Sequence, residues 1–75
     1  MARLPMISGM KAVKTFSKDG WFMARQTGSH VIMVKSGRVV TLSVPKHREL
    51  DRGTLRKLIR LAGLTVDEFV ELLRR

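Results

Sequence analysis

Cysteine and tyrosine are missing from this 75-residue chain, acids are few, and only four side chains are aromatic, one Trp and three Phe. Without cysteine there is neither a disulfide framework nor a thiolate metal site, a usage that fits a reducing compartment. No apolar run approaches the length of a membrane span, and "MARLPMISGM", interrupted by Pro5 and Gly9, is too short for the apolar part of a signal peptide. A soluble, cytoplasmic protein with no membrane association is therefore expected. A chain this short makes one domain, residues 1–75, which buries roughly 60% of its unfolded surface and leaves no room for a deep cleft. Any chemistry runs on a shallow surface, which suits a polymeric substrate better than a small metabolite.

The shortage of acid is uneven. Fifteen Lys and Arg stand against six Asp and Glu, a formal charge of +9. Residues 1–48 hold nine of the basic residues and one acid, Asp19, whereas residues 49–75 hold six against five. A positive field over the first two-thirds points to nucleic acid, an anionic membrane or an acidic protein as partner.

The apolar pattern divides the chain into six elements. In "SGMKAVKTFSKDG", Ser8 is placed to N-cap a helix, Met10, Val13 and Phe16 recur at helical spacing, and Asp19-Gly20 supplies a stop. "WFMARQ" reads as a strand, with Thr27, Gly28 and Ser29 as a turn. "HVIMVK" and "RVVTLSV" read as two further strands joined by a tight hairpin at Ser36-Gly37. Period two groups His30, Ile32 and Val34 on one face of the first of these and Val31, Met33 and Lys35 on the other. Both faces are mostly apolar, so the period alone does not choose which one the helices cover.

"KHRELDRG" is polar and reads as a loop. Thr54 is then placed to cap "LRKLIRLAG", whose Leu55, Leu58, Ile59 and Ala62 form a helical stripe ended by Gly63. Thr65 to Glu68 make a capping box that opens a last, short helix burying Val66, Phe69, Val70 and Leu73. The expected architecture is α+β: helix, three-stranded antiparallel sheet, helix, short C-terminal helix, with the helices on one sheet face and the other open. Double-stranded-RNA-binding domains share this order.

Among candidate chemical groups, His30 stands out, set where a glycine turn becomes an apolar strand. RNA brings its own nucleophile, the 2′-hydroxyl, so a catalyst need only move protons and offset charge on the phosphorane. A histidine with an ordinary pKa of about 6.5 can do the former, and Arg or Lys the latter. The plainer reading of His30 is an imidazole hydrogen-bonded near a turn. Against it stand Gly28, which lets a ligand come close to the backbone, and the cationic setting of Arg25, Lys35 and Arg38.

His47 reads as a polar loop residue or as a second proton donor. Trp21 and Phe22 are candidates for base stacking, though a small core needs at least one of them. The Arg56, Lys57 and Arg60 face is a solvated surface or a phosphate contact. Metal ligation needs further donors, and His47 and the scattered carboxylates offer no compact spacing. No metal or cofactor is expected.

The segments "KDGW", "RQTGSH", "VIMV", "VPKHREL" and "RGTLRKLIRLAGLTVDEFVELL", in that order from about residue 8 onward, resemble the HicA family of bacterial and archaeal toxins. The resemblance implies a fold similar to the double-stranded-RNA-binding domain and metal-independent cleavage of mRNA. It assigns catalysis to the histidine of the glycine-serine-histidine motif, here His30. Gly53, Thr54 and Leu55 match a helix start of structural importance. It implies a HicB antitoxin as partner, which covers the toxin and commonly carries a DNA-binding domain. RNA contacts are expected from Arg25, Gln26, Gly28, Ser29 and Lys35. The longer lead, residues 1–7, departs from the commonest pattern. A non-catalytic RNA-binding module with the same fold is the alternative, and a surface that docks an acidic protein is a weaker one.

Overall fold

A computed structural model describes residues 3–75; Met1 and Ala2, the first residues of the lead, lie outside them. The order is α1 (Gly9–Ser17), β1 (Phe22–Gln26), β2 (His30–Val34), β3 (Leu42–Pro45), α2 (Arg52–Leu61) and α3 (Val66–Arg74). The strands form one antiparallel sheet in the order β1-β2-β3. This is the helix, sheet, helix, helix arrangement of a double-stranded-RNA-binding-like α+β fold.

The ambiguity of β2 is resolved by burial. Val31 and Met33 are fully buried beneath the helices together with Leu42 and Val44 of β3. His30, Ile32 and Val34 therefore belong to the open face, each half-buried. The core is completed by Phe16, Trp21, Leu55, Ile59 and Phe69. The rings of Phe16 and Phe69 meet at a centroid distance of 5.1 Å and a tilt of 53°, a favourable aromatic geometry that ties α1 to α3. No residue of β1 is buried; the strand overhangs the helical layer.

Ser8 caps α1 as expected, accepting from Lys11 N at 3.0 Å. The buried stripe is shifted by one position, however: Gly9, Ala12, Thr15 and Phe16 face inward while Met10 is exposed. The cause is Gly9, whose missing side chain lets the helix start rest against the Pro45 carbonyl. Its N–H also donates to His47 O at 2.9 Å.

Two other boundaries differ from the sequence pattern. The last strand does not begin at Arg38. The β2–β3 ladder runs only from His30↔Pro45 to Met33↔Leu42, and residues 38–41 lie outside it with Val39 98% exposed. The Arg38 side chain reaches across to α2, donating from Nη2 to Leu61 O at 2.8 Å. That tether carries the segment away from β2, and valines with high strand propensity are left without a partner to pair. The cap of α2 is Asp51, whose carboxylate accepts from Thr54 N at 3.1 Å, so the helix starts two residues before Thr54. The capping box of α3 is present in both halves, Thr65 N to Glu68 Oε1 at 2.8 Å and Glu68 N to Thr65 Oγ1 at 3.0 Å.

In α3, Leu72 is buried, and Val66 and Leu73 are only partly so. Residues of the lead are built into the structure. Leu4 is buried, its carbonyl accepts from Arg52 Nε at 3.2 Å, and Ile7 O accepts from Leu50 N at 2.7 Å. Leu50, within the polar "KHRELDRG" segment, is a core residue. Among the described residues, no helix is long and apolar enough to cross a membrane.

Candidate functional site

The turn between β1 and β2 is organised by Thr27. Its hydroxyl oxygen accepts from His30 N at 2.9 Å and from Ser29 N at 3.4 Å, while its own N–H donates to His30 O at 2.9 Å. Backbone bonds on both sides thus fix where His30 leaves the turn. On the other flank, Lys46 N donates to Ser29 O at 2.8 Å, continuing the β2–β3 ladder one step past His30↔Pro45. The imidazole is then oriented by its neighbour, with Ser29 Oγ 2.9 Å from Nδ1. Nε2 has no hydrogen-bond partner among the described residues.

Gly28 sits at the crest of this turn. Its φ is not positive, and a Cβ placed there would have no atom within 4 Å. Neither backbone conformation nor packing inside the chain calls for glycine at this position. A bare crest next to His30 leaves room for an external group to approach.

Arg25 reaches the same face by an irregularity. The ladder pairs Phe22↔Val34 and Met23↔Met33, then Arg25↔Ile32 and Gln26↔Val31, with a register shift at Ala24. Counting by twos from Phe22 would place Arg25 on the helix side. The bulge instead sets it opposite Ile32, on the open face, diagonal to His30 at about 7–8 Å between Cα atoms. Arg25 therefore shares the open sheet face with His30.

The remaining candidates are placed elsewhere. Gln26 pairs with Val31 and so belongs to the opposite face, though it is exposed there because no helix covers β1. Lys35 is five residues from His30, about 17 Å along an extended chain. It lies on the helix side, where its Nζ contacts Asp19 Oδ2 at 3.2 Å and its stem passes over Gly20. Exposed His47 contributes its carbonyl to α1. Arg56, Lys57 and Arg60 are exposed on α2, which belongs to the helical layer.

Sequence reasoning missed Thr27 as the positioning residue and Lys46 as the cation nearest the turn in the backbone ladder. Lys46 follows once "VPK" is paired antiparallel to "SHV", a register that only the completed sheet reveals, whereas Thr27 acts through bonds that span no more than three residues of the turn it belongs to. Among the described residues no three His, Cys, Asp or Glu side chains gather as metal ligands would.

Comparison with known proteins finds a matching family and a similar solved structure. The family model of the HicA toxin of bacterial toxin–antitoxin systems matches residues 9–64, from α1 to just past α2, His30 included. A chain of a solved toxin–antitoxin complex from Streptococcus pneumoniae is 32% identical, with a TM-score of 0.69 over 77% of this chain and 98% of that chain. No curated protein matches.

Proposed function

The chain belongs to the HicA family of toxins of bacterial toxin–antitoxin systems, and from that membership we propose that it is a metal-independent endoribonuclease that cleaves mRNA through His30 and thereby stops translation. The observation that carries this reading is the setting of His30. It is half-buried at the start of β2 on the open sheet face, its ring held through Nδ1 and its Nε2 without a partner among the described residues.

The chemistry follows from the substrate. The 2′-hydroxyl loses a proton and its oxygen attacks the adjacent phosphorus, the 5′-oxygen of the next nucleotide leaves, and that oxygen takes up a proton. The Ser29 hydroxyl oxygen can accept from Nδ1–H, which leaves the Nε2 lone pair free to take the 2′ proton. The imidazolium so formed keeps its Nδ1–H bond to Oγ and gives the Nε2 proton to the leaving oxygen. Arg25 offsets the charge that builds on the phosphorane, and Gly28 lets the phosphate come close to the turn.

A HicB-type antitoxin is the partner. Covering the open face would inhibit simply by excluding RNA from His30. The solved relative, a toxin–antitoxin complex, supports such a pairing.

The test is cleavage of end-labelled single-stranded RNA in EDTA by wild type and by His30→Ala, with a DNA copy as control and circular dichroism to check folding. RNA is expected to be cut and DNA spared, with a rate roughly 10²–10⁴-fold lower in the variant. A folded variant that cuts at the wild-type rate removes His30 from the mechanism. Retention of RNA without product by folded wild type would turn the reading to a binding module of the same fold.

A further inference from the structure

Three of the four aromatic side chains are consumed by the core: Phe16, Trp21 and Phe69 are each 1% exposed or less. Phe22 is 56% exposed. Its ladder partner is Val34, so its ring stands on the open face with Ile32 and His30, where no second layer of the protein packs. The fold does not use it. The bulge at Ala24 sets Arg25 between Phe22 and the turn on that same face. The nearest acid of the cationic half, Asp19, is on the helix side with Lys35. The face is thus an aromatic ring, an apolar floor, a guanidinium and an imidazole in line, without a carboxylate.

We propose that Phe22 is a stacking platform for one base of single-stranded RNA and that Arg25, between that base and His30, grips the strand at the scissile phosphate. This rests on the ribonuclease reading and deepens it, naming unpaired RNA as the substrate and assigning it a subsite. Stacking requires a base with an open π-face, which duplex RNA withholds inside its own stack. Phe22 is opposite Val34, four residues or about 13–14 Å from His30 along the strand. The stacked base is therefore a few nucleotides from the bond that is cut, and it anchors the strand so that the phosphodiester arrives at Nε2. An acid-free face favours a polyanion over an apolar protein surface as its occupant.

The experiment uses the full chain and a fluorescent single-stranded RNA carrying 2′-O-methyl groups, which cannot be cut through its 2′ position, together with copies in which each base in turn is replaced by an abasic site. Affinity is read by anisotropy for wild type, Phe22→Ala and Phe22→Trp, with folding checked by circular dichroism. Phe22→Ala should weaken binding about 5–150-fold while Phe22→Trp retains it. One abasic position should cost the wild type a similar factor and cost Phe22→Ala nothing further. Affinity of Phe22→Ala within twofold of wild type, or abasic penalties identical in the two proteins, would overturn the assignment. So would a variant that binds RNA normally but loses a co-purifying protein partner, since the face would then belong to that partner. Because this RNA is never cleaved, the outcome is independent of whether His30 is the catalyst, which the cleavage assay reads separately.

Discussion

Gly9→Ala sets two physical effects against each other. Glycine in a helix costs up to about 1 kcal/mol relative to alanine, so on propensity the substitution at the start of α1 stabilises. Packing says the reverse. The added Cβ would collide with Pro45 O and lie 3.0 Å from Pro45 C and 3.2 Å from Lys46 Cα, all of them backbone atoms that no rotamer change can move aside. Forced overpacking of this kind costs about 1–3 kcal/mol, and backing the helix away endangers the 2.9 Å bond from Gly9 N to His47 O, about 1 kcal/mol more. The net expectation is a loss of about 2 kcal/mol, or a melting temperature lower by about 8–16 °C for a domain of this size. Thermal unfolding followed by circular dichroism reads it. Lys46 moves with the strand end and holds Ser29 O, so cleavage should also fall at temperatures where the variant is still folded. A variant as stable as wild type, or more so, would refute the close approach on which the reasoning rests.

The complementary substitution is Gly28→Ala, where a Cβ meets nothing: stability should stay within about 0.5 kcal/mol while RNA cleavage drops, and unchanged cleavage would show that RNA does not approach the crest. Arg25→Gln should weaken RNA binding and flatten its dependence on salt, since one fewer phosphate contact releases one fewer counterion. Lys35→Gln, removing the partner of Asp19 on the far side, should leave RNA affinity within twofold and cost at most about 1 kcal/mol of stability. Equal effects of the two would mean that the field acts as a whole and not through the open face. Asp51→Ala should cost about 1 kcal/mol by removing the cap of α2, seen in urea unfolding, whereas Thr54→Ser, which leaves that cap in place, should change stability by less than half as much.

Much of the site was legible because the chain around it obeys local rules. Ser8, the capping box at Thr65 and the turn before His30 are short-range signals, and each appears where its residues place it. What was hidden is non-local. Which face of β2 the helices cover depended on Val31 and Met33 fitting beneath them, a question that alternation between two apolar faces leaves open. Arg25 and Lys35 looked alike as charges in a cationic stretch, but a bulge brought one to His30 and the direction of the strand took the other away. Arg38 shortened the third strand through a bond to a helix more than twenty residues downstream, which no window along the sequence contains. Leu50 was masked by its charged neighbours, although it seals the core between the lead and α2.

The ring contact between Phe16 and Phe69 also bears on when this molecule comes into being. α1 is synthesised first and α3 last, yet each supplies the other's cover, and the Lys18 ammonium of the first helix's end donates to Leu72 O at 3.0 Å in the last. An incomplete chain on the ribosome would already contain the whole glycine-serine-histidine turn but would lack the second half of its core. Contacts that span nearly the full chain form late, so a toxin built this way reaches its finished core only after residues 66–74 are made, leaving an interval in which an antitoxin could meet it before it is fully folded.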